Sequence, residues 1–266
     1  MSSVLFNAAF GLYVIGLLTS GLAFITKKDL FFKAAIVWVG VAFALHSGFL
    51  IYSGVQKGHL PLTDMRESLA FFAWTVSACF FLSYGRYRIK ELGIFVLPLV
   101  AALMLGTTLV KASPASDLPR SAWIFWHSVF LFLGYAMLFV TFVAGILYLF
   151  QEKELKNRQP KTFYYRLPSL DLLDDLFVKF LISGFAFMTM GLLAGILWAE
   201  QEVSGWLRDP TVIAAIITWG IYLILIYFRL TAGWRGRRAA VISMLGFISV
   251  LLIFLGASFL GGLHNF

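Results

Sequence analysis

The stretch "AWIFWHSVFLFLGYAMLFVTFVAGILYLF", residues 122–150, contains no lysine, arginine, aspartate or glutamate, and its one histidine is His127 near the start. As a helix rising 1.5 Å per residue it would be about 43 Å long, more than the roughly 30 Å hydrocarbon core of a bilayer. A stretch this long and apolar on every side reads as a helix that crosses a membrane.

The rest of the chain repeats that reading. Apolar segments separated by short polar breaks occur at 4–25, 30–53, 67–84, 92–110, 122–150, 177–199, 211–229 and 239–260. With 61% hydrophobic and 13% charged residues, 266 residues hold too little polar surface to coat a soluble globule. The expected fold is all-α, a polytopic membrane helical bundle of about eight transmembrane helices forming one integral membrane domain over 1–266. The first segment is retained rather than cleaved, because "MSSVLFNAAF" lacks a basic start and "TKKDLF" stands where a small-residue cleavage site would be.

The net charge of +8 reports topology rather than nucleic acid, which is not expected as a partner. The loops "TKKDLFFK", "GRYRIKE", "QEKELKNRQPKTFYYR" and "FRLTAGWRGRR", with Lys179, gather most of the 21 basic residues on one side, leaving Lys57, Arg66, Lys111, Arg120 and Arg208 on the other. Basic loops face the cytoplasm, so both termini are placed on the outer face, in keeping with an even number of spans. Membrane lipid is therefore an expected partner, and "GWRGRR" a candidate contact for anionic lipid.

All four histidines then fall in the outer half: His46 about seven residues inside the second span, His59 in "QKGHLPLTD", His127 at the start of the fifth span and His264 after the eighth. Neutral imidazole is a good axial ligand for haem iron, and two imidazoles on opposite faces make a bis-histidine site. Such a site also needs aromatic surface, and "ILWAEQEVSGWLRDP" supplies Trp198 and Trp206. Each feature has a plainer reading. Tryptophans anchor helices at membrane interfaces. A buried His46 is more often hydrogen-bonded to a neighbouring helix than a ligand. The environment of His59, with Pro61 and Asp64, fits a turn, and Asp64 with Glu67 has capping-box spacing. Cys79 stands alone, which excludes a disulfide or thiolate cluster within the chain.

"GHLPLTDMRESLAFFAW" (58–74), "LPSLDLLDDLFVKFLISGFAFMTMGLLAGILWA" (167–199), "DPTVIAAIITWGIYLILIYFR" (209–229) and "GWRGRRAAVISMLGFISVLLIFLGASFLGGLHNF" (233–266) occur in order. Together they resemble the cytochrome c assembly family, the CcsA and HemX type of haem-handling membrane proteins, with the shorter HemX-like branch the nearer in pattern. The resemblance implies a multi-pass protein of the bacterial inner (cytoplasmic) membrane. It also implies a non-covalent, b-type haem on the outer half, with His127 and His264 as axial ligands and His46, Trp198, Trp206 and Asp209 as further cofactor-binding residues. Gly261 and Gly262 would let the chain turn so that His264 faces the site.

The chain departs from the family pattern W-x-W-D-P-x-E-T-W: aligned on Asp209, Pro210 and Trp219, it keeps Trp206 but has Arg208, Val212 and Ala214. A further family histidine is replaced by Tyr227 in "LILIYFRL". Two functions stand on this resemblance. In one, the protein handles haem for cytochrome c assembly and meets apocytochrome c or a partner assembly protein on the outer face. In the other, it is a HemX-like membrane regulator that influences the level of glutamyl-tRNA reductase, a haem-biosynthesis enzyme on the cytoplasmic face. A transporter is the minor third reading, because His46 is the only ionisable group clearly inside a span. No P-loop, nucleophile elbow or HExxH occurs, so no catalytic residues are assigned and a haem carrier or assembly factor is expected rather than a classical enzyme.

Overall fold

The computed structural model describes residues 2–58, 62, 64–110, 122–156, 167–202 and 205–256. Among them are eight α-helices: α1 (Ser2–Thr26), α2 (Asp29–Lys57), α3 (Met65–Tyr87), α4 (Leu92–Leu109), α5 (Ala122–Lys156), α6 (Leu170–Glu202), α7 (Pro210–Thr231) and α8 (Arg237–Gly256). A 3-10 turn, Trp206–Arg208, precedes α7. Helices α1 to α7 are each long and apolar enough to cross a membrane, and α8 adds 20 residues. The expected helical bundle is what forms.

Large apolar side chains on these helices stay exposed, among them Leu18 on α1, Val37 and Ile51 on α2, Leu193 on α6, Ile217 on α7 and Leu252 on α8. In water such surfaces would aggregate; in hydrocarbon they are at home, while each helix satisfies its own backbone. The buried faces are held by close contact and by polar side chains, as expected where lipid removes the hydrophobic drive between helices.

The helices form two compact units, Met1–Ser116 and Asp117–Phe266. In the first, α1 runs antiparallel to α2, and a Cβ on Gly16 would fall 2.5 Å from Val39. Helix α3 opens on Asp64, whose carboxylate accepts from the Glu67 backbone N–H at 2.7 Å, the cap expected from the sequence. The Glu67 carboxylate pairs with Lys57 at the end of α2. Trp74 of α3 donates its indole N–H to Ser47 of α2 at 2.8 Å and stacks on Phe43.

In the second unit, α5 and α6 form an antiparallel pair. A Cβ on Gly134 would lie 2.9 Å from the Met188 backbone, and one on Gly184 would lie 3.0 Å from Leu138, so these glycines set the helix separation. Helix α7 returns along α6, tied by Trp219 Nε1 to Thr189 at 2.9 Å and by Arg229 to Asp174 at 2.6 Å. Helix α8 packs on α5 through Gly145 against Ala240, and on α7 through Gly246 against the Tyr222 ring. The antiparallel order gathers the start of α5, the end of α6 and the start of α7 at one end of the unit.

Candidate functional site

His127 sits in the second turn of α5, and its Nδ1 lies 2.8 Å from the carbonyl oxygen of Gly191 on α6. A carbonyl only accepts, so Nδ1 carries the proton and, in the neutral ring, Nε2 carries the lone pair. Metal-ligating histidines are commonly oriented in this way, by donating the far N–H to a backbone carbonyl. The ring fits because residue 195 is glycine: a Cβ there would lie 2.6 Å from Cε1 of His127. Gly191 and Gly195, at helix spacing, form the bed of the imidazole.

Trp198, one turn beyond Gly195, is 5% exposed, and its indole N–H finds no acceptor among the described residues. Positions i and i+3 share a helix face, so Trp198 continues the face that holds His127. A buried N–H without an acceptor costs about 1–3 kcal/mol, which an acceptor on a bound ligand would recover. Trp206 is half-buried in the 3-10 turn between α6 and α7. Asp209 accepts from the Thr211 N–H at 2.7 Å and caps α7, with Pro210 at its first position. Asp209 is thus a local organiser of this end of the unit.

His127, Trp198, Trp206 and Asp209 are therefore brought to one end of the second unit by α5, α6 and the start of α7. His264 and His59 lie outside the described residues. Tyr227 is 58% exposed on α7.

His46 belongs to the first unit, on α2, and is fully buried. Because α2 continues to Lys57, His46 lies eleven residues from the helix end rather than the seven read from the sequence. Among the described residues neither ring nitrogen of His46 finds a hydrogen-bond partner, nor does the hydroxyl of Tyr13, whose ring meets His46 edge-on at 5.9 Å. The polar groups that interact with them are the Ala70 backbone, with His46, and the Ser77 hydroxyl, with Tyr13. Two buried polar residues in contact inside a helical membrane unit make a candidate site for a ligand or a proton. The sequence identified His46 but carried no sign of Tyr13, whose relevance depends on the crossing of α1 and α2.

The fold and these sites define a polytopic helical membrane protein with an imidazole set on two glycines and two tryptophans at the same end of its unit. The model of the family described as "Cytochrome C assembly protein" matches residues 4–264, and the chain belongs to that family. Among its relatives, the cytochrome c biogenesis protein CcsA of Chlamydomonas reinhardtii is 31% identical over 241 residues, covering 86% of this chain and 67% of that protein. CcsA of Mesostigma viride is 28% identical over 300 residues, covering 100% and 97%. The solved structure of "Cytochrome c Heme Lyase CcmF" is similar in fold, with a TM-score of 0.74 at 16% identity over 98% of this chain. This chain spans 48% of that one.

Proposed function

We propose that this protein handles haem in cytochrome c assembly, holding a b-type, non-covalent haem where α5 begins and α6 ends, on the outer half of the membrane. The observation that carries the reading is the hydrogen bond from His127 Nδ1 to the Gly191 carbonyl, the orientation in which metal-ligating histidines are commonly held. His264 is the proposed second axial ligand. Trp198 and Trp206 offer aromatic surface, with the unsatisfied Trp198 N–H a donor to the ligand. Exposed Arg208 offers a cation for a propionate. His46 is a further proposed ligand within the first unit.

The haem supplies iron chemistry and the acceptor's thiols supply the covalent bond; the protein orients an imidazole, limits water and presents the ring. Apocytochrome c or another assembly protein is the proposed partner at the same end. The CcsA names of the relatives favour this reading over the regulatory one.

The test is an absorption spectrum of detergent-purified protein before and after dithionite. Sharp reduced α and β bands are expected from the wild type. His127→Ala and His264→Ala should each shift the spectrum toward high spin, with small external imidazole restoring low spin. A double variant with an unchanged spectrum would remove the pair.

A further inference from the structure

The opposite end of the second unit carries a basic elbow that the haem site does not use. The chain turns there between α7 and α8 through "TAGWRGRR", residues 231–238. Arg229, with a side chain 8% exposed, pairs with Asp174 of α6 at 2.6 Å and donates to the Trp234 carbonyl at 2.9 Å. The Trp234 ring stacks on Phe228 at 4.4 Å and 11°, while the Trp234 backbone N–H donates to the Phe228 carbonyl. Gly233 and Gly236 take left-handed φ values of 64° and 63°, and Gly236 lies against Tyr148 of α5. The elbow is thereby fixed from α5, α6 and α7 at once.

What it presents is three exposed guanidiniums, Arg235, Arg237 and Arg238, none of which forms an ion pair among the described residues. Nearby Lys156 and Lys179 are each paired within their own helix, to Glu152 and Asp175. The apolar run of α7 closes at Phe228 and that of α8 begins at Ala239, so the three charges sit at the membrane boundary. We infer that this elbow is a binding site for the phosphate headgroup of an anionic phospholipid. Guanidinium forks match phosphate oxygens in pairs, and the half-buried Trp234 places an amphipathic ring at headgroup level. Pre-ordering of the loop gives selectivity beyond diffuse attraction, because little conformational freedom remains to be lost on binding.

The test uses delipidated protein in neutral detergent, titrated in parallel with dioleoyl phosphatidylglycerol, dioleoyl phosphatidylcholine and inorganic phosphate. Bound lipid is counted by native mass spectrometry, with thermal stability as the second readout. Phosphatidylglycerol should be retained in preference to phosphatidylcholine and should be released by salt. Each arginine removed should weaken retention about fivefold, and R235Q/R237Q/R238Q about a hundredfold. The single variants R235Q and R237Q carry the test if the triple variant does not accumulate. Gly236→Ala keeps every charge but strains the turn against Tyr148, and should also weaken retention. Removing Lys27, Lys28 and Arg86 from the first unit should leave it unchanged. Equal retention of the two lipids, or an equal loss in that control, would overturn the site in favour of general charge attraction. Stabilisation by inorganic phosphate as strong as by phosphatidylglycerol would overturn the lipid assignment.

Discussion

At the scale of single residues, space decides more than chemistry. His127 can lie on α6 only because residue 195 has no side chain, and Gly195→Ala would drive a methyl into the imidazole. That variant should lose about 1–3 kcal/mol of stability, read as a lower melting temperature, and should lose haem retention with it. Gly11 of α1 is the control: nothing lies within 4 Å of its would-be Cβ, so Gly11→Ala should raise stability by about 0.5–1 kcal/mol. His46 gives the opposite kind of forecast. Its two ring nitrogens, buried and without a partner among the described residues, burden the ligand-free fold, so His46→Phe should raise the melting temperature of haem-free protein while lowering the haem recovered. A fall in melting temperature with unchanged haem would make the histidine a structural group. The sequence marked the histidines as candidates, since imidazole chemistry is written in residue type. It could not mark Gly195 or Tyr13, whose meaning comes from which helices cross there.

At the scale of elements, hydropathy located the helices and missed their ends for a physical reason. The segments read at 122–150 and 177–199 form helices over 122–156 and 170–202. Charged turns such as "QEKELK" and "LDLLDD" leave the hydrocarbon without leaving the helix, and hydropathy registers only the first change. Those extensions bear tertiary contacts: Asp174, in the polar start of α6, meets Arg229 of α7. Exposed pairs contribute about 0–1 kcal/mol, whereas breaking a buried pair by removing one partner costs about 3–5 kcal/mol. This pair lies between those limits, with side chains 8% and 22% exposed. Asp174→Asn should therefore cost about 2 kcal/mol in thermal unfolding, and Asp174→Glu should recover part of it. A melting temperature unaffected by Asp174→Asn would mean that stacking of Trp234 on Phe228 holds the elbow without the ion pair.

At the scale of the whole molecule, one number governs the site: the parity of the spans. Seven of the eight helices among the described residues are long and apolar enough to cross a membrane; with α8 as an eighth span the number is even, the case in which both termini would share a face. The distribution of Lys and Arg would then choose the face, because the segments after α1, α3, α5 and α7 are the basic ones. Reporters fused at residues 1 and 266 should both read outside, and a reporter within residues 151–170 should read inside. On that expected topology His127 would lie at the outer end of α5 and the arginine elbow at the inner end of α7, and haem and anionic lipid would be met on opposite sides. Reversing the charges of Arg235, Arg237 and Arg238 should weaken that assignment locally, with the carboxy-terminal reporter shifting inward while the amino-terminal one stays outside. An inside signal at residue 266 in the unaltered protein would break the parity, leaving His264 on the opposite face from His127 and ending the proposed axial pair.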